Sequence, residues 1–174
     1  MKSKYDFWVL LKPLYGKLNC FALSRTRSRD RAKDLVSETV LRAYDSFDKL
    51  KSEKAFLSYL FSIAVRVNIS NHRKSSYIEY DESVDYEELF ADNISPEDAA
   101  DLNILYAACD ELPKVQSDVF FHYEILGFSQ KEIAKIFDIS LFNVKIRLHR
   151  ARKNLRLKLG DNSSDIISTQ GELR

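Results

Sequence analysis

Residues 127–159 decide the fold, and they read GFSQKEIAKIFDISLFNVKIRLHRARKNLRLKL. Ser129, followed three residues later by Glu132, forms a capping box, a pairing that begins a helix by satisfying its free amide groups. Asp138-Ile139 then makes a turn, and Ser140 is a favourable N-cap for a second, longer helix. A short helix, a tight turn and a longer helix have the spacing of a helix-turn-helix.

The second helix, predicted over about residues 141–159, has two different faces. The buried stripe consists of apolar residues at helical spacing: Val144, Leu148, Ala151, Leu155 and Leu159. The opposite face carries Phe142, Lys145, Ile146, His149, Arg150 and Lys153. Residues 145–158 hold seven basic side chains and no acidic one, a pattern typical of a phosphate-contacting surface. The alternative is a solvated helix face, although such faces normally mix charges of both signs.

A helix in the major groove reads base edges with side chains near its N-terminal end, and Lys and Arg can donate to guanine or to phosphate. We therefore predict that Lys145, His149 and Arg150 read duplex DNA. Phe142 and Ile146 offer apolar contacts to thymine methyl groups. Two alternatives stay open, namely that His149 is an ordinary surface residue and that Phe142 is a core residue of the turn.

The composition of the whole chain favours helices and excludes several classes of protein. It has 174 residues, 45% of them hydrophobic, with only four Gly and three Pro, so the predicted fold class is all-α. Cys20 and Cys109 make neither a disulfide framework nor a four-ligand zinc site, and we expect no metal and no cofactor. We find no signal peptide and no apolar stretch long enough to span a membrane, so a cytoplasmic location is expected.

Charge divides the chain into three parts: residues 1–74 carry net +9, residues 75–101 net −10 and residues 102–174 net +2. The acidic block has no His and no EF-hand spacing, which favours a flexible linker over a metal site. We therefore predict two small helical domains joined by an acidic flexible linker. The predicted boundaries are 1–74 for the first domain, 75–101 for the linker, 102–160 for the helix-turn-helix domain and 161–174 for a polar tail.

Apolar periodicity predicts three helices in the first domain, over residues 7–23 despite Pro13, over about 30–47 and over about 53–73. In the remainder, Ser95-Pro96-Glu97 is a favourable helix start. A further helix is predicted over residues 115–126, and Gly127 ends it because glycine readily adopts a positive φ.

Short motifs in both domains carry a family resemblance. The second domain has Leu112-Pro113, Val119-Phe120, Gly127, Ser129 and Glu132-Ile133-Ala134, and the first has Asp34-Leu35-Val36-Ser37-Glu38-Thr39 and an apolar segment from Phe56 to Ile69. With these motifs the chain resembles, over about residues 5–160, the group IV or extracytoplasmic-function sigma factors of bacterial RNA polymerase. This chain departs from the family pattern at two positions: Tyr59 stands where the family usually has Trp, and Arg66 stands where many members have Asn.

The resemblance implies a sigma factor that binds core polymerase and directs promoter recognition and melting, without being an enzyme. The residues implied for core polymerase binding are Asp34, Leu35, Glu38 and Arg42. Those expected at the minus-ten element are Ser46, Leu50, Phe56, Tyr59, Ile63, Arg66, Asn71, Arg73 and Lys74. Those expected at the minus-thirty-five element are Ser140, Phe142, Asn143, Lys145, Ile146, Arg147, His149, Arg150 and Lys153. The implied partners are core RNA polymerase, promoter DNA and an anti-sigma factor, and the chain free of partners is expected to be a monomer without membrane insertion.

Two other functions share part of this pattern. An ordinary helix-turn-helix regulator would bind duplex DNA without core polymerase, needing only residues 102–160 and usually a dimer. A metal-dependent nucleic-acid enzyme is disfavoured, because the chain has no HExxH motif and no P-loop.

Overall fold

The computed structural model describes residues 4–74 and 104–159, with side chains for 5–73 and 104–159, and every regular element in these segments is helical. Contacts divide the chain into two units, with residues 4–74 in the first and nearly all of residues 104–159 in the second. This confirms the predicted all-α class. The predicted linker, the polar tail and the helix start at Ser95 lie outside the described residues.

The N-terminal unit contains four α-helices: α1 (Lys4–Leu11), α2 (Tyr15–Thr26), α3 (Arg29–Asp45) and α4 (Phe56–Lys74). Short 3-10 turns over Lys12–Leu14, Phe47–Lys49 and Glu53–Ala55 connect them. Helix α3 begins at its N-cap Ser28, whose hydroxyl accepts a hydrogen bond from the amide of Arg31 at 3.4 Å. Helix α3 packs against both α2 and α4 and so occupies the centre of the unit.

The prediction of one helix over residues 7–23 is wrong at Pro13. The chain forms α1, a 3-10 turn and α2 there, because proline has no amide hydrogen and its ring clashes with the carbonyl of residue i−4. Proline is tolerated in the first turn of a helix, but α1 already begins at Lys4. Residues 4–74 therefore form four α-helices where three helices were predicted.

The core of the N-terminal unit is built around Phe7, which is completely buried. Its ring meets the rings of Tyr44, Phe47 and Phe56 edge to face, at centroid distances of 5.3, 5.3 and 5.6 Å. Edge-to-face pairs at this spacing are the favoured aromatic geometry. They join α1 to the end of α3 and the start of α4.

The C-terminal unit contains α5 over residues 104–110, α6 (Lys114–Phe120), a π-helical turn (Phe121–Ile125), α7 (Gln130–Phe137) and α8 (Leu141–Leu159). The α-helix predicted over residues 115–126 is therefore only half α-helical. The amide of Leu126 donates to the carbonyl of Phe121, five residues back, and this wider turn accompanies four consecutive buried residues, 119–122. Gly127 ends the segment with φ of 69°, as predicted.

The helix-turn-helix begins with the predicted capping box. The hydroxyl of Ser129 accepts from the amide of Glu132 at 3.3 Å, and the Glu132 carboxylate accepts from the amide of Ser129 at 2.8 Å. Asp138 ends α7 in the left-handed conformation, with φ of 53° and ψ of 51°. Ser140 then caps α8, because its hydroxyl accepts from the amide of Asn143 at 3.2 Å. The predicted bounds of α8 are confirmed.

Asp138 gives a direct test of the turn. We expect Asp138→Val to lower the free energy of unfolding of the C-terminal unit by about 1–2 kcal/mol, because a β-branched residue is strained at positive φ. Asp138→Gly removes that strain and should leave stability within about 1 kcal/mol of the original chain. Urea unfolding followed by far-ultraviolet circular dichroism compares the two variants. Equal stability of both would show that the left-handed turn is not under steric restraint.

Candidate nucleic-acid interface

Helix α8 is anchored by one face and exposes the other. Val144, Leu148, Ala151 and Leu155 are buried, as the periodicity predicted, whereas Leu159, the fifth residue of the predicted stripe, is only partly buried. Ala151, Leu155 and Phe120 belong to a core cluster that also contains Leu105, Cys109 and Leu112. This packing fixes which side of α8 meets solvent.

The predicted reading residues all lie on the exposed side or at its edges. Ser140, Phe142, Asn143, Lys145, His149, Arg150 and Lys153 are exposed, and Ile146 and Arg147 are half-buried. Phe142 is 70% exposed, which removes the alternative that it is a core residue of the turn. At 3.6 residues per turn, Arg147 lies beside the buried stripe, a position that suits a backbone phosphate better than a base edge.

Two shallow grooves border the exposed face within the C-terminal unit. The larger has a volume of about 510 Å³, and its lining includes Lys145, His149, Lys153 and Arg156 from α8. The second, of about 450 Å³, is lined by the first turn of α7 and the residues before it, including Gln130 and Lys131. Both grooves share Gln130 and Lys145, so the concave surface continues from α7 to α8.

Sequence reasoning missed Gln130 and Lys131 as part of this surface, and it counted Arg156 in the basic run without placing it among the minus-thirty-five residues. A usable signal exists for each of them. Gln130 and Lys131 directly follow the N-cap of α7, where exposed amides favour an anion. Arg156 comes seven residues after His149, two helical turns farther along the same side of α8.

Of the residues predicted at the minus-ten element, Leu50 and Phe56 must be corrected. Phe56 is only 2% exposed and packs on Phe7 and Phe47, and Leu50 is 8% exposed. A base cannot stack on a ring that is enclosed by the protein core, so Phe56 is structural, and Leu50 presents only a small part of its side chain to solvent. Ser46, Tyr59, Ile63 and Asn71 are half-buried, Arg66 and Arg73 are exposed, and the side chain of Lys74 lies outside the described residues.

Ser46 and Tyr59 are joined at the end of α3. The Tyr59 hydroxyl donates to the carbonyl of Ala43 at 2.6 Å and lies 2.7 Å from the hydroxyl of Ser46. Ser46 in turn donates to the carbonyl of Arg42 at 2.7 Å. Burial raises the pKa of Tyr59 above its usual value of 10.0, partly offset by the hydrogen bond with Ser46, so the phenol stays protonated at neutral pH.

On α3, Leu35 must also be corrected. It is 1% exposed and cannot touch another protein without unfolding of its surroundings. The carboxylate of Glu38 binds Arg42 at 2.6 Å and accepts from the Asn71 amide at 3.1 Å, so it links α3 to α4. Asp34 is exposed, and its carboxylate has no hydrogen bond or ion pair within the described part of the chain.

Sequence reasoning also missed Leu41, which is 60% exposed on α3. Helical spacing puts it in one row with Asp34, Glu38 and Asp45 on the outer side of the helix. The signal was an apolar residue on the side of α3 opposite its buried residues, which are Ala32, Leu35, Val36, Thr39 and Ala43.

Other classes of site were searched for over residues 4–74 and 104–159. No group of three or more His, Cys, Asp or Glu residues in these segments is placed to hold a metal ion. No described helix is long and apolar enough to cross a membrane. His122 is buried, and its Nδ1 lies 2.7 Å from the carbonyl of Asp118.

Both units match known families. Residues 10–77 match the family described as Sigma-70 region 2, and residues 102–155 match the family described as Sigma-70, region 4. The fold is similar to that of the sigma factor RpoE from Bartonella quintana, solved in complex with the anti-sigma factor NepR, with a TM-score of 0.73 at 23% identity over 88% of this chain and 96% of that one. It is also similar to CnrH, solved in complex with the cytosolic domain of CnrY, with a TM-score of 0.69 at 20% identity over 90% and 89% of the two chains.

Two relatives reach higher sequence identity. The ECF RNA polymerase sigma factor EcfG of Rhodopseudomonas palustris is 30% identical over 138 residues, which cover 79% of this chain and 76% of EcfG. The ECF RNA polymerase sigma factor SigW of Bacillus subtilis is 30% identical over 142 residues, covering 75% of this chain and 76% of SigW. Identity at this level over three quarters of the relatives, with two sigma-70 regions in order along one helical chain, shows that this protein belongs to the ECF sigma factors of RNA polymerase.

Proposed function

We propose that this chain is a promoter-specificity subunit, which binds core RNA polymerase, recognises promoter DNA and directs its melting. The observation that carries this proposal is the pairing of two different surfaces in one chain, an acidic face on α3 and a basic face on α8. An ordinary helix-turn-helix regulator needs only the second surface and leaves the first unit without a role. We further propose that the protein has no enzymatic activity of its own.

The outer row of α3 is the proposed contact with core polymerase. It contains Asp34, Glu38 and Asp45, with exposed Leu41 among them. An exposed apolar residue with charged neighbours suits a protein interface. The partner buries the apolar side chain, and the charged side chains set the orientation of the partner. Arg42 supports this surface through its ion pair with Glu38, and Leu35 supports it from the core.

The exposed side of α4 and the end of α3 form the proposed minus-ten surface. Arg66 and Arg73 are exposed and lie two helical turns apart on the same side of α4, which suits successive phosphates of a single strand. Ser46, Tyr59 and Ile63 are half-buried and form the proposed wall of a pocket for a flipped base. Asn71 donates a hydrogen bond to Glu38, so it links the proposed minus-ten surface to the proposed polymerase contact.

The exposed face of α8 is the proposed minus-thirty-five reader, with Lys145, His149 and Arg150 toward base edges. Because one chain carries both DNA-binding surfaces, binding at one element raises the effective concentration at the other. Residues 75–101 are the proposed linker.

An anti-sigma factor is a proposed further partner, supported by the two complexes named above. The proposed site of action is the cytoplasm, where transcription takes place.

The first experiment combines gel filtration with run-off transcription. The purified chain is mixed with bacterial core polymerase and a sheared genomic template library. Co-elution with core polymerase and new transcripts with defined start sites are expected, and the start sites reveal both promoter elements. Elution as a dimer that binds DNA but does not bind core polymerase would refute this proposal. That result would support an ordinary helix-turn-helix regulator.

Asp34→Lys tests the polymerase contact. We expect the affinity for core polymerase to fall about tenfold or more, because the reversed charge faces a surface complementary to the acidic row. The fold should be unaffected, since Asp34 is exposed and its carboxylate has no partner in the described part of the chain. Asp48→Lys is the matched control, with the same change in net charge at an exposed residue between α3 and α4. Equal core affinity of the Asp34 variant and the original chain in a pull-down titration would contradict the assignment.

A further inference from the structure

The basic run of α8 divides into two groups once its partners are considered. Arg152 and Lys158 are ion-paired with carboxylates of the same unit, Glu124 and Glu111 respectively. Arg156 is exposed and has no such partner among the described residues. The seven basic residues between 145 and 158 therefore do not form one uniform phosphate-binding surface.

Arg152 is held by several contacts at once. Its Nε and Nη2 both donate to the same oxygen of Glu124, at 3.1 and 2.6 Å. Its guanidinium carbon also lies 5.4 Å from the centre of the Tyr123 ring, within the range of a cation–π contact. The side chain of Glu124 is only 13% exposed, so its charge is largely withdrawn from water and depends on Arg152 for compensation.

These contacts tie α8 to the π-helical turn that precedes the helix-turn-helix. Arg152 lies on one edge of the buried stripe, on the same flank as Lys145 and Arg156. On the other edge, Asn154 donates to Gln116 at 3.0 Å. Polar links on both edges of the apolar stripe add to its packing in opposing rotation of the helix about its own axis.

We propose that Arg152 is a positioning residue for DNA recognition: its ion pair with Glu124 and its contact with Tyr123 set the rotation of α8 and therefore the direction of the reading side chains. Arg152 lines the larger groove with a side chain that is 39% exposed, but its guanidinium is bound to Glu124, so we do not count it among the phosphate contacts. This inference rests on the proposed function, in which α8 reads promoter duplex.

The salt dependence of DNA binding separates a positioning residue from a phosphate contact. Each phosphate contact that is lost reduces the slope of log K against log salt by about 0.9. The probe is a fluorescent duplex that carries a start site recovered by run-off transcription, and it is titrated with the complex of chain and core polymerase at several salt concentrations. Arg156→Met is the matched control, because it removes one exposed basic side chain from the same flank, one turn later.

For Arg152→Met we expect the affinity for the duplex to fall about tenfold, with an unchanged salt slope. A tenfold loss lies within the range of coupling energies between residues of one salt-bridge network. Glu124→Gln should weaken binding as well, although it removes a negative charge. The swapped pair, Arg152→Glu with Glu124→Arg, should recover at least part of the lost affinity. Arg156→Met should reduce the slope by about 0.9.

The inference is overturned if Arg152→Met reduces the salt slope as Arg156→Met does, or if Glu124→Gln tightens binding by releasing Arg152 to phosphate. Circular dichroism of each variant checks folding, and Glu124→Gln decides the question if Arg152→Met does not fold. Failure of the proposed function is a separate result, since the original chain would then give no transcripts with core polymerase.

Discussion

Phe7→Ala is expected to lower the free energy of unfolding of the N-terminal unit by about 3–5 kcal/mol, the usual cost of removing a buried phenylalanine ring. Phe7 is fully buried and meets the rings of Tyr44, Phe47 and Phe56, which come from the end of α3, the following 3-10 turn and the start of α4. Since domains of this size are marginally stable, the variant should be largely unfolded at moderate temperature.

The measurement is urea unfolding followed by tryptophan fluorescence. The chain has a single tryptophan, Trp8, whose ring lies 5.3 Å from that of Phe7, so the signal reports on the N-terminal unit alone. Val9→Ala is the matched control, because Val9 is 53% exposed on the same helix and its truncation should change stability by at most about 0.5 kcal/mol. A loss below about 1 kcal/mol for Phe7→Ala would contradict the central place of this ring in the core.

Arg150→Ala and Lys145→Ala are each expected to weaken binding to the minus-thirty-five element by about 1–3 kcal/mol, or roughly 5- to 150-fold. Both side chains lie in the N-terminal half of α8 and are exposed, away from the buried stripe. The stripe holds the helix backbone in place, so truncation of an exposed side chain removes a DNA contact and leaves the fold intact.

The test compares promoter duplexes in which each base pair of the minus-thirty-five element is replaced in turn. A residue that reads a base relaxes selectivity at one position, whereas a phosphate contact weakens all sequences equally. Lys114→Ala is the matched control, since it removes the same charge from an exposed residue at the start of α6. Unchanged selectivity among these duplexes in both α8 variants would show that Lys145 and Arg150 do not read bases.

The elements that local sequence signals define were predicted well. The capping box of Ser129 and Glu132, the turn at Asp138 and the cap at Ser140 are all present, and α8 runs from Leu141 to Leu159 as predicted. Each of these signals acts between residues at most four positions apart, so the chain carries them without help from distant segments.

The errors arose where one residue type serves two purposes. Phe56 suits base stacking as well as core packing, and its burial follows from Phe7, which is far away in the chain. Leu35 was assigned to the polymerase contact because it lies within a family motif on α3, although its helical periodicity already places it on the inward side. Pro13 could have been the first residue of a helix, but α1 begins at Lys4 and makes it an interior position.

The sequence by itself determined the all-α class, the helix-turn-helix and the resemblance to extracytoplasmic-function sigma factors, because periodicity, capping and short motifs are local. Only the tertiary structure decided which charged side chains are available to a partner. Arg152 and Glu124 are 28 residues apart in the chain, and Lys158 and Glu111 are 47 apart. Ion pairs across such distances depend on how the helices pack, and that packing leaves Lys145, Arg150 and Arg156 exposed while it holds Arg152 against Glu124 and Tyr123.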